Sequence, residues 1–147
     1  MICPCQKLQD NAKTYAQCCQ PFHEGKQVPT AKQLMASRFS AFALGLAGYL
    51  KATWHSSTCP PQLDSTPDEQ WLKLDIIAFT ADTVHFKAYF KEGSDFKYLE
   101  ESSNFILENN KLVYLNGKTN IGIVNLGRNN TCLCGSGKKY KKCCSLN

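Results

Sequence analysis

The chain is 147 residues long, 43% hydrophobic and 20% charged, with a formal net charge of +5. That length builds one core of ordinary size with room for small appendages. No apolar run of the ~18 residues needed to cross a bilayer is present. Met1-Ile2-Cys3-Pro4-Cys5-Gln6-Lys7 also lacks the apolar stretch of a secretory signal. A cytoplasmic protein with no membrane partner is expected.

In chain order, the first segment is a cysteine-rich head over residues 1–25, in which Cys3-Pro4-Cys5 is followed by twelve residues and then Cys18-Cys19. A middle segment, residues 26–126, opens at Thr30, where Thr30 and Gln33 fit a capping box. Leu34, Met35, Phe39, Phe42, Leu46 and Leu50 recur at roughly helical spacing, interrupted by Gly45 and Gly48. Two helices are expected there, over 31–44 and 46–54. Thr66-Pro67-Asp68-Glu69 reads as another helix start, with Pro at the first helical position. It predicts a short helix carrying Trp71 and Leu72.

The texture then changes to strands. Lys73–Thr80 leads to a turn at Ala81-Asp82. In Thr83–Glu92, Val84, Phe86, Ala88 and Phe90 alternate with His85, Lys87, Tyr89 and Lys91. Gly93-Ser94-Asp95 reads as a hairpin loop, Phe96–Glu108 as a long strand, Asn109-Asn110 as a turn and Lys111–Leu115 as a further strand. Helices first and an antiparallel meander after predict an α+β layered fold. The tail, residues 127–147, holds Cys132-Leu133-Cys134, eight residues, and Cys143-Cys144.

Nine cysteines are present, and only Cys59 lies outside the head and tail. In a reducing compartment this placement reads as metal binding rather than disulfide bonding. Structural zinc takes four soft ligands in a tetrahedron. A Cys-x-Cys turn presents two thiolates from one loop, and an adjacent pair near a helix start supplies two more. A disulfide between adjacent cysteines would be strained. Two zinc ions are expected, one on Cys132, Cys134, Cys143 and Cys144, the other on Cys3, Cys5, Cys18 and Cys19. Head and tail form a degenerate repeat: Tyr15 and Tyr140 each stand three positions before the closing Cys pair. In the tail, Gly135-Ser136-Gly137 supplies flexible backbone whose amides can bond the thiolates.

Four thiolates on one zinc(II) leave two negative charges. Two such sites offset four of the five positive charges, so bulk charge carries no argument for nucleic acid. Lys138, Lys139, Lys141 and Lys142 surround the tail site. They either balance its charge and solubilise the tail or form an exposed basic face for an acidic protein or RNA.

Residues 127–144, Gly-Arg-Asn-Asn-Thr-Cys-Leu-Cys-Gly-Ser-Gly-Lys-Lys-Tyr-Lys-Lys-Cys-Cys, closely resemble the SEC-C motif. Asn130, Thr131 and Leu133 depart from its usual Asp-Pro and Pro, and no ligand is lost. That motif also ends the preprotein translocase ATPase SecA, where it binds zinc and contacts a chaperone and ribosomes. The whole chain resembles the YchJ family of bacterial SEC-C proteins, through Leu34-Met35-Ala36-Ser37-Arg38-Phe39-Ser40-Ala41-Phe42, Tyr49-Leu50-Lys51-Ala52-Thr53-Trp54-His55 and Phe105 through Gly117. The resemblance implies a nuclear transport factor 2-like (cystatin-like) middle domain, a cone of helices on a curved antiparallel sheet.

A pocket in such a cone would be lined by Arg38, Tyr49, Trp54, Trp71, Glu101, Ser103 and Tyr114, with Arg38 and Glu101 able to pair inside. His23 either packs beside the head cluster or substitutes as a ligand. His55 ends a helix, where a protonated His is favoured. His85 is expected in solvent, and Cys59, before Pro60-Pro61, reads as an incidental thiol. No acid/base pair at committed spacing is visible, so a non-catalytic role is favoured. Three functions are open: a zinc-binding adaptor docking on an acidic chaperone, secretion or ribosome-associated surface; a small-molecule binder or enzyme using the cone cavity; and RNA binding through the tail.

Overall fold

The structure is a computed structural model that describes residues 1–63 and 69–146. Helix α1 spans Gln20–His23, α2 Ala31–Leu44 and α3 Ala47–Ala52. Four strands follow, β1 (Glu69–Phe79), β2 (Thr83–Glu92), β3 (Asp95–Glu108) and β4 (Lys111–Ile123). They form one antiparallel sheet in the order β1-β2-β3-β4.

Helix α2 begins where the capping box places it. The Thr30 hydroxyl donates to Gln33 Oε1 at 2.9 Å and accepts from the Gln33 amide at 3.1 Å. It ends at Gly45, whose φ of 72° is left-handed. There Gly45 N–H donates to the Phe42 carbonyl and Leu46 N–H to the Ala41 carbonyl, the paired bonds of a Schellman closure. Gly48 breaks nothing; it lies inside α3.

The sheet follows from local rules. In β2, Val84, Phe86, Ala88 and Phe90 are buried and the residues between them are not. Asn109 and Asn110 both take positive φ, 53° and 64°, as the two central residues of a primed hairpin turn require. The Glu92–Asp95 pairing makes the β2–β3 loop two residues long, Gly93-Ser94, so Asp95 belongs to β3. Strand β4 runs on past the expected Leu115 to Ile123, paired with β3 on both sides of a bulge at Leu115.

One expectation is overturned. Trp71 and Leu72 lie on β1, not on a helix; residues 66–68 of that start signal lie outside the described residues. Trp71 pairs with Phe90 and packs edge-on against Phe39 of α2. Leu72, the extra residue at a bulge, packs instead with Phe96 and Cys132. Two large apolar side chains in a row had to reach opposite faces. A strand with period two does this, whereas consecutive helical positions diverge by only ~100°.

Two apolar clusters result. In the larger, Leu34, Met35 and Phe39 of α2 pack on Leu74, Val84, Phe86, Ala88 and Phe105 of the sheet, and Cys3, Cys5 and Cys19 of the head join them. In the smaller, Leu72 and Phe96 meet Cys132, with Val124, Leu126, Leu133 and Tyr140 around them. No helix among the described residues is long and apolar enough to cross a membrane.

A Cβ at Gly45 would meet no atom within 4 Å, so alanine there is opposed only by its backbone conformation. Gly45→Ala is expected to cost about 1 kcal/mol, read as a lower urea midpoint at unchanged slope. An unchanged midpoint would show that the left-handed closure does not hold α2.

Candidate metal centres and a cavity under helix α2

Each cysteine set converges from two chain segments. In the head, Cys5 Sγ stands 3.7 Å from Cys3 Sγ, 3.5 Å from Cys18 Sγ and 3.6 Å from Cys19 Sγ. In the tail, Cys143 Sγ is 3.3 Å from Cys134 Sγ and 3.9 Å from Cys144 Sγ. A tetrahedron with metal–sulfur bonds of about 2.3 Å has sulfur–sulfur edges of about 3.8 Å, so the spacings fit a central ion. All four sulfurs of each set lie within 4.8 Å of one another, and all nine cysteines are free thiols. Either set could hold a metal ion.

The two units share one backbone plan. Cys3 N–H donates to the Lys13 carbonyl at 3.0 Å, and Tyr15 N–H to the Met1 carbonyl at 2.9 Å. The tail repeats this, with Cys132 N–H on Lys138 at 2.9 Å and Tyr140 N–H on Asn130 at 2.7 Å. Cys18 and Cys143 N–H then each donate to the carbonyl of that tyrosine at 3.1 Å. The bridges Ile2–Thr14 and Thr131–Lys139 sit at equivalent positions. The head's longer loop enters without disturbing these bonds.

Surroundings differ. In the head, Ser40 of α2 accepts the Cys5 amide at 3.2 Å and lies 3.5 Å from Cys3 Sγ. His23 Nε2–H donates to the Ser37 carbonyl at 2.8 Å, and His23 Nδ1 pairs with the Tyr15 hydroxyl at 2.6 Å. Both ring nitrogens are occupied, so His23 packs beside the cluster and leaves neither for a metal. In the tail, Ser136 Oγ lies 3.2 Å from Cys143 Sγ, and Lys91 of β2 sends its ammonium to Cys144 Sγ at 3.9 Å. Tyr140 packs edge-on to Phe96, with ring centroids 6.2 Å apart. Lys138, Lys139 and Lys142 are exposed and Lys141 half-buried.

Crowded sulfurs divide their protons unequally. Bonds from Cys19 and Cys5 hold the Cys3 thiol far below its ordinary range, while bonding to Cys3 pushes Cys19 far above it. In the tail, hydrogen bonds from Ser136 and then Cys143 bring Cys134 down to about 6, and burial leads in pushing Cys144 up to about 12. A cation at either centre would displace the remaining protons.

A cavity of about 170 Å³ separates α2 from the sheet. Of the seven predicted pocket residues, Arg38, Trp54, Trp71, Glu101 and Tyr114 line it. Tyr49 does not; its hydroxyl meets Ser37 at 2.7 Å, on the head side of α2. Ser103 lies beneath the wall, its hydroxyl donating to Glu101 Oε2 at 2.5 Å. The expected Arg38–Glu101 pair is not made among the described residues. Arg38 instead donates through Nη1 to the Leu50 carbonyl at 2.9 Å and to Thr53 Oγ1 at 2.6 Å. Its guanidinium carbon lies 4.8 Å from the ring centroids of both Trp54 and Tyr114. Burial lowers its pKa to about 10, so it stays charged at neutral pH.

Two further expectations change. His85 is not solvated freely; its Nε2 pairs with Glu100 at 2.6 Å across the strands. His55 meets Glu108 at 3.3 Å and is tied to β4 by its amide on the Tyr114 carbonyl at 2.7 Å. Among the described residues, Cys59 approaches only its neighbour's carbonyl, at 3.6 Å. Ser40 and Lys91 escaped the sequence reading. Each lies 35 or more positions from the cysteine it serves, and no local pattern distinguishes it from a helix serine or an outward strand lysine.

These features define a class, a SEC-C protein built around a nuclear transport factor 2-like domain. A family model described as the YchJ middle NTF2-like domain matches residues 30–117, and one for the SEC-C motif matches residues 128–146. The chain belongs to the YchJ family. It is 36% identical to a UPF0225 protein of Vibrio parahaemolyticus, covering 97% of each chain. It is 38% identical to one from Vibrio cholerae, covering 98% of this chain and 99% of that one. The fold is similar to the crystal structure of a SEC-C motif containing protein from Psychrobacter arcticus, with TM-score 0.62 and 27% identity over 99% and 96% of the two chains. A solution structure of a SEC-C motif containing protein from Rhodopseudomonas palustris shares the fold at TM-score 0.66 and 24% identity, over 80% of this chain and 98% of that one.

Ser40→Ala removes the acceptor of a buried amide. A loss of about 1 kcal/mol in stability is expected, with faster hydrogen exchange at the Cys5 amide and none of that acceleration at Cys132. Equal protection at Cys5 before and after the change would remove Ser40 from the head's support.

Proposed function

We propose that both clusters bind zinc and that the tail is a docking unit, presented by a non-catalytic adaptor to an acidic protein surface. The units are taken as 1–25, 26–126 and 127–147. The observation that carries this is the tail itself: four sulfurs at tetrahedral spacing beneath exposed Lys138, Lys139 and Lys142. None of the three forms an ion pair among the described residues. All-thiolate sites favour soft or borderline ions, and a closed four-ligand set is structural rather than catalytic. Phe96, Leu72 and Lys91 hold the unit against the sheet, so its lysines are displayed from a fixed base. The resemblance to the SecA tail favours a chaperone, secretion or ribosome-associated partner in the cytoplasm. RNA is the weaker reading, because Tyr140, the tail's one aromatic, is turned against Phe96 and offers no open stacking face.

Metal analysis is expected to find two zinc ions per chain, falling to one in Cys3→Ser and one in Cys132→Ser. A folded, metal-free chain refutes the zinc reading. Each bound thiolate must shed its proton, and Cys144 stands at about 12 before metal enters. Zinc affinity therefore rises with pH and falls in acid, which chelator competition between about pH 8 and about pH 5.5 measures.

Replacing Lys138, Lys139, Lys141 and Lys142 with Ser is expected to abolish partner capture while leaving two zinc ions bound. Capture that survives the four changes overturns the docking face.

A further inference from the structure

Both tryptophans of the chain, Trp54 and Trp71, stand in the wall of one cavity. Around them are Phe39 and Met35 of α2, Phe86 of β2 and Tyr114 of β4. Four polar groups stand among these apolar walls: Trp54 Nε1–H, Arg38, Glu101 and, beside Glu101, the Tyr114 hydroxyl. Trp54 Nε1–H is buried with no hydrogen-bond partner among the described residues. Arg38, 2% exposed, uses Nη1 for its bonds to Leu50 and Thr53, and its remaining donors have no partner among the described residues. Glu101, 9% exposed, accepts from Ser103 through Oε2 and lies beside the Tyr114 hydroxyl.

A buried donor or acceptor left unpaired costs about 1–3 kcal/mol. Native interiors rarely carry one; Trp54 Nε1–H is such a donor, and the unused capacity of Arg38 and Glu101 lies at the same cavity. Water is a poor occupant. A volume of about 170 Å³ is the share of five or six waters at about 30 Å³ each, and each would need two to four polar partners. Arg38, Glu101 and the Tyr114 hydroxyl, set in aromatic walls, satisfy one or two of them. An engineered apolar cavity of about 150 Å³ takes a single benzene, so the space suits one ring with a small substituent. Phe42, 40% exposed, lies at its rim and gives a way in.

The polar groups define the substituent. Arg38 donates, so the ligand brings an acceptor oxygen; Glu101 accepts, so the ligand brings an N–H or O–H. Arg38 and Glu101 carry opposite formal charges. A carboxylate drawn to Arg38 would meet Glu101, and an ammonium drawn to Glu101 would meet Arg38. The ligand is therefore neutral, and rings on several sides favour a flat one. The position of Glu101 is built in: a Cβ on residue 117 would overlap its carboxylate, and Gly117 supplies none.

We propose that this cavity binds a neutral, single-ring aromatic amide or lactam, its carbonyl accepting from Arg38 and its N–H donating to Glu101. This site is independent of the zinc and docking reading, and either can fail alone.

Benzamide, benzoate and toluene are the probes, titrated into the zinc-loaded full chain. Because both tryptophans line the cavity, their indole N–H resonances and fluorescence report on it directly. Benzamide is expected to shift the Trp54 indole signal saturably. Benzoate and toluene should bind about tenfold more weakly or worse. Glu101→Gln should narrow the preference for benzamide over benzoate by about tenfold. Ala88→Leu, which fills the space, should abolish the benzamide shift with zinc content unchanged. In the wild-type chain, no saturable shift with benzamide, equal binding of toluene, or tighter binding of benzoate would each overturn the proposal, whatever the variants do.

Discussion

Helix α2 is buried on nearly every side, and its burial includes three polar residues, Ser37, Arg38 and Ser40. Each of these must find a partner or cost free energy. Ser40 finds the Cys5 amide in the head, Ser37 finds Tyr49 on α3, and Arg38 finds the carbonyl of Leu50 and the hydroxyl of Thr53 at the end of α3. The apolar side of the same helix, Leu34, Met35 and Phe39, lies on the sheet. One helix thus fixes the head, the helical layer and the cavity relative to the strands. The satisfaction of its buried polar groups is what sets the geometry.

The two cysteine units share their backbone bonds yet are used differently. Cys3, Cys5 and Cys19 are almost wholly buried and belong to the main apolar cluster, so an ion at that centre would stabilise the whole domain. The tail keeps only Cys132 fully buried and meets the sheet through Leu72 and Phe96, with its lysines turned to solvent. The same local plan therefore serves as part of a core at one end and as a surface projection at the other. The difference lies in what each packs against, Ser40 and α2 for one, β2 and β3 for the other.

The cavity persists because its walls are braced from outside. Trp54 is held by the 53–55 segment, where Tyr114 N–H donates to the Thr53 carbonyl and His55 N–H to the Tyr114 carbonyl. Trp71 is locked between Phe39 and Phe90. Burial and the neighbouring Glu101 carboxylate push the Tyr114 hydroxyl well above its ordinary range, keeping it neutral. Side chains pinned in this way cannot collapse into the space between them.

The residue pattern alone determined the two cysteine sets, the capping box at Thr30, the inward face of β2 and the Asn109-Asn110 turn. All of these are written in spacings of fewer than about sixteen residues, where ligand type, period and backbone preference act locally. Only the tertiary structure decided that Trp71 and Leu72 lie on a strand, because Phe39 and Phe96 claim them from opposite sides. It also decided that Arg38 and Glu101 stay apart, because Leu50 and Thr53 take the guanidinium and Ser103 takes the carboxylate. Lys91 reaches Cys144 across 53 positions, and the unpartnered Trp54 Nε1 depends on everything packed around it. Contacts of that kind follow from how elements stack, and no window of sequence contains them.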